Sequence, residues 1–246
     1  MKCRRIAGLL LWAAAIPAVA DTAPAAVAAN FTPTAQALAA RFEALTGHRL
    51  VISSGSSGKL YTQIVNGAPF DLFLSADEDR PRELEAEGRG LPGTRFTYAV
   101  GQLLLWSSDP ALVDAEGAVL RSDRFRRLAV ANPRTAPYGA AAMAVLRRLG
   151  LEERLASRLV QGENIAQAYQ FVATGNAELG FVALAQVRAA PGGSAWEVPR
   201  DLYPAVEQQA VLLDRGRDNP AAHGFLDFLR TPDARALIRE AGYGTE

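Results

Sequence analysis

The chain of 246 residues has very little of the two residue types most used in covalent and metal chemistry, with one cysteine and two histidines. The cysteine, Cys3, stands ahead of an apolar run within the first twenty residues. That stretch has the form of an export leader. Lys2, Arg4 and Arg5 make a positive start, the apolar run extends from Ile6 to about Ile16, and Ala18-Val19-Ala20 supplies a small-x-small cleavage pattern. The expected mature chain begins at Asp21, after cleavage behind Ala20, and has no cysteine. Such a chain has no disulfide, no thiol nucleophile and no thiolate metal site. A lipid-modified cysteine would have to follow the apolar run, whereas Cys3 precedes it. No second apolar stretch approaches the roughly twenty residues that span a membrane, so a product soluble after export is expected.

Charge of one sign is also lacking. Removing Lys2, Arg4 and Arg5 from the 26 basic residues leaves 23 against 26 acidic ones. A mildly acidic chain without charged runs does not suit a nucleic-acid or anionic-membrane partner, because both need a basic surface. Residues 21–246 suit one large or two modest domains with a substantial core.

What is present is an alternation of strand and helix. Ala25 to Ala29 reads as a strand, followed by Asn30-Phe31-Thr32-Pro33. From Thr34 to Thr46, Ala35, Leu38, Ala39, Phe42 and Leu45 recur at helical spacing. Asn30 or Thr32 can cap that helix, Pro33 suits its first turn, and Gly47 ends it. A strand over Arg49–Ser53, a loop Ser54–Gly58 and a helix Lys59–Asn66 follow. Pro69 to Ser75 is a strand of the buried parallel type, and Asp77–Glu87 a further helix. This βαβαβα order implies a parallel sheet with right-handed crossovers. In the second half, strands are expected over Tyr98–Ser107, Leu128–Ala131, Leu179–Leu184 and Val206–Leu213. Helices are expected over about Ala140–Leu149, Ala166–Thr174 and Pro220–Glu240. The two long strands near 98–107 and 204–213 are the expected crossings between domains. No internal repeat is evident.

Four strand-to-helix junctions carry small, hydroxyl or amide residues: Ala29-Asn30-Phe31-Thr32, Gly55-Ser56-Ser57-Gly58, Pro137-Tyr138-Gly139 and Glu163-Asn164-Ile165. A helix N-terminus has unpaired backbone N–H groups and the positive end of a dipole, so it can hold an anion without lysine or arginine. Ordinary capping explains any one junction. Four converging on a cleft would make an oxyanion cage.

Enzyme motifs fail. Gly55-Ser56-Ser57-Gly58-Lys59 has Leu60 where a P-loop needs Ser or Thr, and Ser53 where it needs glycine. A hydrolase elbow around Ser57 would need glycine at Lys59. His48, in a Thr-Gly-His-Arg-Leu turn, is expected to be solvated, and His223 to lie at or near the surface of the last helical region. Ser57 therefore has no convincing base, and a secreted serine hydrolase is the weakest of the alternatives. Asp77-Glu78-Asp79 reads as the start of a helix complementing its dipole rather than as a metal site. Trp106 and Trp196 read as packing residues.

Several of these loops together are distinctive. Ala28-Ala29-Asn30-Phe31-Thr32, Ser56-Ser57-Gly58-Lys59-Leu60 and above all Gly67-Ala68-Pro69-Phe70-Asp71-Leu72-Phe73-Leu74-Ser75-Ala76-Asp77 resemble the periplasmic molybdate-binding proteins of ABC transporters. Asn132-Pro133, Pro137-Tyr138-Gly139, Gly162-Glu163-Asn164-Ile165, Leu179-Gly180-Phe181-Val182 and Tyr203-Pro204 follow in family order. The resemblance implies an α/β, two-lobed type II periplasmic-binding-protein fold, each lobe a mixed, mostly parallel sheet flanked by helices. Lobe 1 would comprise residues 21–98 and 205–246, and lobe 2 residues 99–204. It implies a monomeric, non-enzymatic receptor for molybdate or tungstate, with no cofactor, delivering to an ABC transporter membrane permease. Sulfate and phosphate are the alternative oxyanions.

Matched to the family position by position, Asn30 would donate through its amide and backbone N–H, and Ser57 through its hydroxyl and N–H. Tyr138 and Ile165 would donate through backbone N–H groups. The metal would be held only as its oxyanion, through hydrogen bonds and without direct coordination. A tyrosine hydroxyl that many members use is replaced here by Ala183.

Overall fold

The computed structural model describes residues 20–245. The expected leader, with Cys3 and Trp12, lies outside them except for Ala20. The first part of the chain runs β1 (Thr22–Ala28), α1 (Thr32–Thr46), β2 (Arg49–Gly55), α2 (Ser57–Val65), β3 (Leu72–Leu74), α3 (Asp79–Ala86) and β4 (Phe96–Gly101). The second part runs β5 (Leu103–Ser107), β6 (Leu128–Ala131), α4 (Pro137–Arg148), α5 (Glu152–Leu155), β7 (Leu159–Gly162), α6 (Ile165–Ala173), β8 (Leu179–Ala183), α7 (Leu184–Ala189) and β9 (Ser194–Glu197). The chain then returns through β10 (Val206–Leu212), α8 (Pro220–Leu229) and α9 (Pro232–Glu240).

These elements build two five-stranded sheets, in the orders β2-β1-β3-β10-β4 and β7-β6-β8-β5-β9. Each has three parallel strands joined to an antiparallel fourth: β1 pairs in parallel with β2 and β3, and β6 with β7 and β8, whereas β10 and β5 run against their neighbours. The expected α/β architecture of two mixed, mostly parallel sheets flanked by helices is therefore present. The order is the same in both, although the sequence shows no repeat, because strand order follows from connectivity and handedness rather than from residue identity.

Local reasons are visible in each element. In α1 the buried face is Thr34, Ala35, Leu38 and Phe42, and Gly47 ends the helix at φ 78°, its N–H donating to Glu43 O. Leu45, expected on that face, is exposed. The three residues of β3 are all buried because the strand lies between β1 and β10 with helices on both faces. Beside it, buried Asp71 accepts from Asn219 Nδ2 (2.7 Å) and pairs with Arg215.

Several expectations need correction. The strand expected over residues 98–107 is two strands in different sheets, with Gln102 at the crossing. The second crossing is the connection 198–205, and β10 lies wholly in the first sheet. The position before α1 is Phe31, and no side chain caps it. The amide of Asn30 is engaged inside the protein, and Thr32 Oγ1 lies 2.7 Å from Ser54 Oγ. His48 is half-buried rather than solvated, because its ring stacks on Phe42 (6.2 Å) and Nδ1 accepts from the Asp21 N–H (3.1 Å). His223 is exposed, as expected. Trp106 and Trp196 do pack in the core, Trp106 stacked on Tyr169 at 5.0 Å.

Candidate functional site

A small cavity, about 200 Å³ of space between atoms, lies where the two sheets' helix starts meet. Ala28, Ala29 and Asn30 reach it from the end of β1, and Gly55, Ser56 and Ser57 from the β2–α2 junction. Ala76 reaches it from beyond β3. From the second sheet come Ala136, Pro137 and Tyr138 at the start of α4, and Asn164 and Ile165 at the start of α6. All four residues singled out in the sequence, Asn30, Ser57, Tyr138 and Ile165, thus line one cavity, two from each sheet.

The donors can be read one by one. Ser57 and Ile165 are the first residues of their helices and Tyr138 the second of its own, so their N–H groups have no acceptor within the helix. The N–H of Asn30, just ahead of α1, has no protein acceptor among the described residues either. The Ser57 hydroxyl accepts a hydrogen bond from the Ala76 N–H at 2.9 Å, which occupies a lone pair and leaves its proton free to be donated. Asn164 uses its side chain to cap α6, accepting from Gln167 N at 3.0 Å, and this holds the Ile165 N–H in place.

Asn30 differs from the expectation. Its amide nitrogen donates to Gln208 Oε1 (2.8 Å) and to Tyr243 Oη (3.3 Å), both protons being used within the protein, and Tyr243 Oη donates to Asn30 O at 2.7 Å. The backbone N–H is what Asn30 has left to offer. Gln208, on β10, also accepts from Tyr98 Oη (3.2 Å) and donates to Tyr138 Oη (3.4 Å). One glutamine on the returning strand therefore touches a site residue from each sheet. Gly101 makes room for this: a Cβ there would stand 2.2 Å from Tyr138 Oη. Sequence reasoning missed Gln208 and Tyr243, which lie 178 and 213 residues from Asn30. Ala183, where many family members have tyrosine, is buried at the end of β8 and does not line the cavity; its N–H is held by Gln186 Oε1 (2.9 Å).

Among the described residues, no lysine, arginine, histidine or carboxylate lines the cavity. Burial pushes the Tyr138 hydroxyl well above the ordinary tyrosine range, so it is neutral. A larger groove, about 1190 Å³, carries Asp77, Glu78, Asp79 and Glu207 against Arg80 and Arg147, an acidic lining unsuited to an anion. Among the described residues, no group of three or more His, Asp, Glu or Cys could hold a metal ion. Neither histidine lies at the cavity, so Ser57 has no imidazole base there. Beside the cavity the two sheets' loops touch: Gly58 N–H donates to Thr135 O at 2.8 Å, and Lys59 Nζ pairs with Glu163 at 2.9 Å. A Cβ on Gly58 would stand 3.0 Å from Thr135 Cα, so the contact depends on glycine.

Comparison with known proteins bears on the family and the fold. The sequence profile described as "Bacterial extracellular solute-binding protein" matches residues 24–244. The molybdate-binding protein ModA of Azotobacter vinelandii is 54% identical over 98% of this chain and 95% of its own length. That of Rhodobacter capsulatus is 53% identical over 96% and 94%. The solved periplasmic molybdate-binding protein of Azotobacter vinelandii superposes with a TM-score of 0.89 at 45% identity, covering 91% of this chain and 99% of that one. The fold alone does not select the anion: the sulfate-binding protein SubI of Mycobacterium tuberculosis shares it at a TM-score of 0.70 and 16% identity, over 91% and 86% of the two chains.

Proposed function

The chain belongs to the bacterial extracellular solute-binding protein family, and from that premise we propose that it captures molybdate, or the nearly equal-sized tungstate, and delivers it to the membrane permease of an ABC importer. It is a binding protein rather than an enzyme. One observation carries the choice of ligand class: helix starts from both sheets bring uncharged donors to a single cavity without a cation. The relatives named above narrow the class to molybdate.

The chemistry follows from the donors. Hydrogen bonds to an ionised acceptor are stronger than neutral ones, and a site closed off from water strengthens them further. Helix dipoles add to this without burying a long cationic side chain. In this reading the backbone N–H groups of Asn30, Ser57, Tyr138 and Ile165 and the hydroxyl of Ser57 hold the oxyanion through hydrogen bonds alone. Selection over sulfate, which has the same charge and shape, rests on cavity size. The two moving bodies follow the expected lobes, with the first boundary moved from residue 98 to the end of β4, which pairs with β10. They are residues 21–101 with 206–245, and residues 103–197, hinged at Gln102 and in the connection 198–205. Closure joins Gly58 to Thr135, and the permease reads that closed surface. The working form is a monomer exported to the periplasm and cleaved after Ala20.

Calorimetric titration of the mature protein with molybdate, tungstate, sulfate and phosphate tests the proposal. Tight binding of the first two is expected. A strong sulfate signal with none from molybdate would overturn it. Ser57→Ala should weaken molybdate binding at least about tenfold, the scale of one hydrogen bond to a charge; unchanged affinity would remove Ser57 from the site.

A further inference from the structure

The serine beside Ser57 is not among the proposed donors. Ser56 is only 3% exposed, and its hydroxyl has no hydrogen-bond partner in the protein. It occupies the position just before α2, with the extended backbone of a helix cap (φ −69°, ψ 144°), yet its side chain accepts nothing from the helix. A serine there ordinarily accepts from the N–H two or three residues on. Buried hydroxyls are nearly always satisfied, so one that is not calls for an explanation. Ser56 lines the same cavity as the four donors. Among the described residues the only other buried side-chain polar atom without a partner is Thr135 Oγ1, and Thr135 does not line the cavity.

Resting on the proposal that this cavity holds an oxyanion, we infer that the Ser56 hydroxyl is a further ligand donor, held uncommitted by the protein until the anion arrives. The neighbouring serines then have distinct roles. Ser57 Oγ is oriented in advance by the Ala76 N–H. Ser56 Oγ has no such constraint and rotates to whichever ligand oxygen stands nearest.

The inference has a signature that a packing role lacks. Ser56→Ala should weaken molybdate binding about tenfold in calorimetry. The thermal midpoint of the ligand-free protein should stay the same or rise, because the substitution removes a buried hydroxyl that bonds to nothing in the protein. Affinity within twofold of the parent would overturn the inference, as would an affinity loss accompanied by a matching drop in the ligand-free midpoint. Titrating the parent protein first separates this from failure of the wider reading. If the parent responds to sulfate instead, the molybdate reading falls while Ser56→Ala is judged with sulfate. If none of the four oxyanions gives heat, both fall.

Discussion

The two sheets share a strand order but differ in what they bury. Among the described residues, the buried polar side chains Asn30, Thr34, Ser56, Ser57, Asp71, Ser75, Gln208 and Gln209 belong to the first sheet and its connections, whereas the second contributes Ser107 alone. The first body surrounds its half of the cavity with hydrogen-bonded side chains, the Ser57 hydroxyl accepting from the Ala76 backbone N–H and the Asn30 amide donating to Gln208 and Tyr243. The second has a largely apolar core and meets the cavity with helix starts: Tyr138 on α4 and Ile165 on α6. Two bodies of one topology can therefore line one cavity by different means. One relies on a built polar network, the other on the backbone ends of helices packed on an oily core. The network needs particular side chains, while the helix ends need only that a peptide N–H be present.

That contrast can be broken most directly at Ile165. Ile165→Pro deletes the N–H at the first position of α6, where proline is compatible with a helix, and the preceding Asn164 already has the extended backbone that proline requires (φ −147°, ψ 178°). Molybdate affinity should fall about tenfold to a hundredfold, with far-ultraviolet dichroism unchanged, while Ile165→Val should stay within twofold. Equal losses in both variants would show that the side chain, not the backbone, matters on this side. A smaller effect is expected at Asn30. Alanine keeps the backbone N–H but removes the amide that bonds Gln208 and Tyr243, so Asn30→Ala should cost about 1–3 kcal/mol of stability in denaturant unfolding and little affinity. A large affinity loss without a stability loss would return the amide to the cavity.

The smallest effect concerns pH. No group lining the cavity titrates near neutrality, so binding should be flat from about pH 6 to 9, checked by titration across that range. Burial raises the hydroxyls of Tyr98, Tyr138 and Tyr243 above the ordinary tyrosine range. For a group held protonated in the folded state, the stability is fully present below the unfolded value of about 10 and is lost as pH rises beyond it. Thermal midpoints should therefore drop above about pH 10. Tyr138→Phe should soften that drop less than Tyr98→Phe and Tyr243→Phe combined, because two of the three tyrosines belong to the first body.

Much of this was legible beforehand, for local reasons. Apolar residues at helical spacing marked α1, and the hydroxyl-rich Gly55–Gly58 stretch marked the junction into α2, although the helix begins at Ser57 rather than at the expected Lys59, because helix periodicity and orphan N–H groups are properties of short segments. The long apolar stretch around residues 98–107 could not be divided by pattern, since one buried strand and two successive buried strands look alike. Only pairing with different partners separates β4 from β5 at Gln102. The use of the Asn30 amide was hidden for a similar reason. Its partners come from β10 and from the segment after α9, far along the chain. His48 read as solvated because its turn is polar, and the ring's stacking on Phe42 depends on how α1 meets β2.

The sequence by itself determined the chemical kind of the site. It set four helix starts without a lysine or arginine among the donor residues, and an absence of cysteine from the described residues. Those follow from composition and from the unpaired N–H groups that every helix start must have. Only the tertiary structure decided that three of these starts meet at one cavity with Asn30, just ahead of the fourth, that the Asn30 amide is committed to Gln208 and Tyr243, and that the Ser56 hydroxyl is not committed at all. Convergence depends on where the chain crosses between sheets, and a donor's freedom depends on every group that could reach it. Both are sums over residues distant in sequence, and no local pattern encodes them.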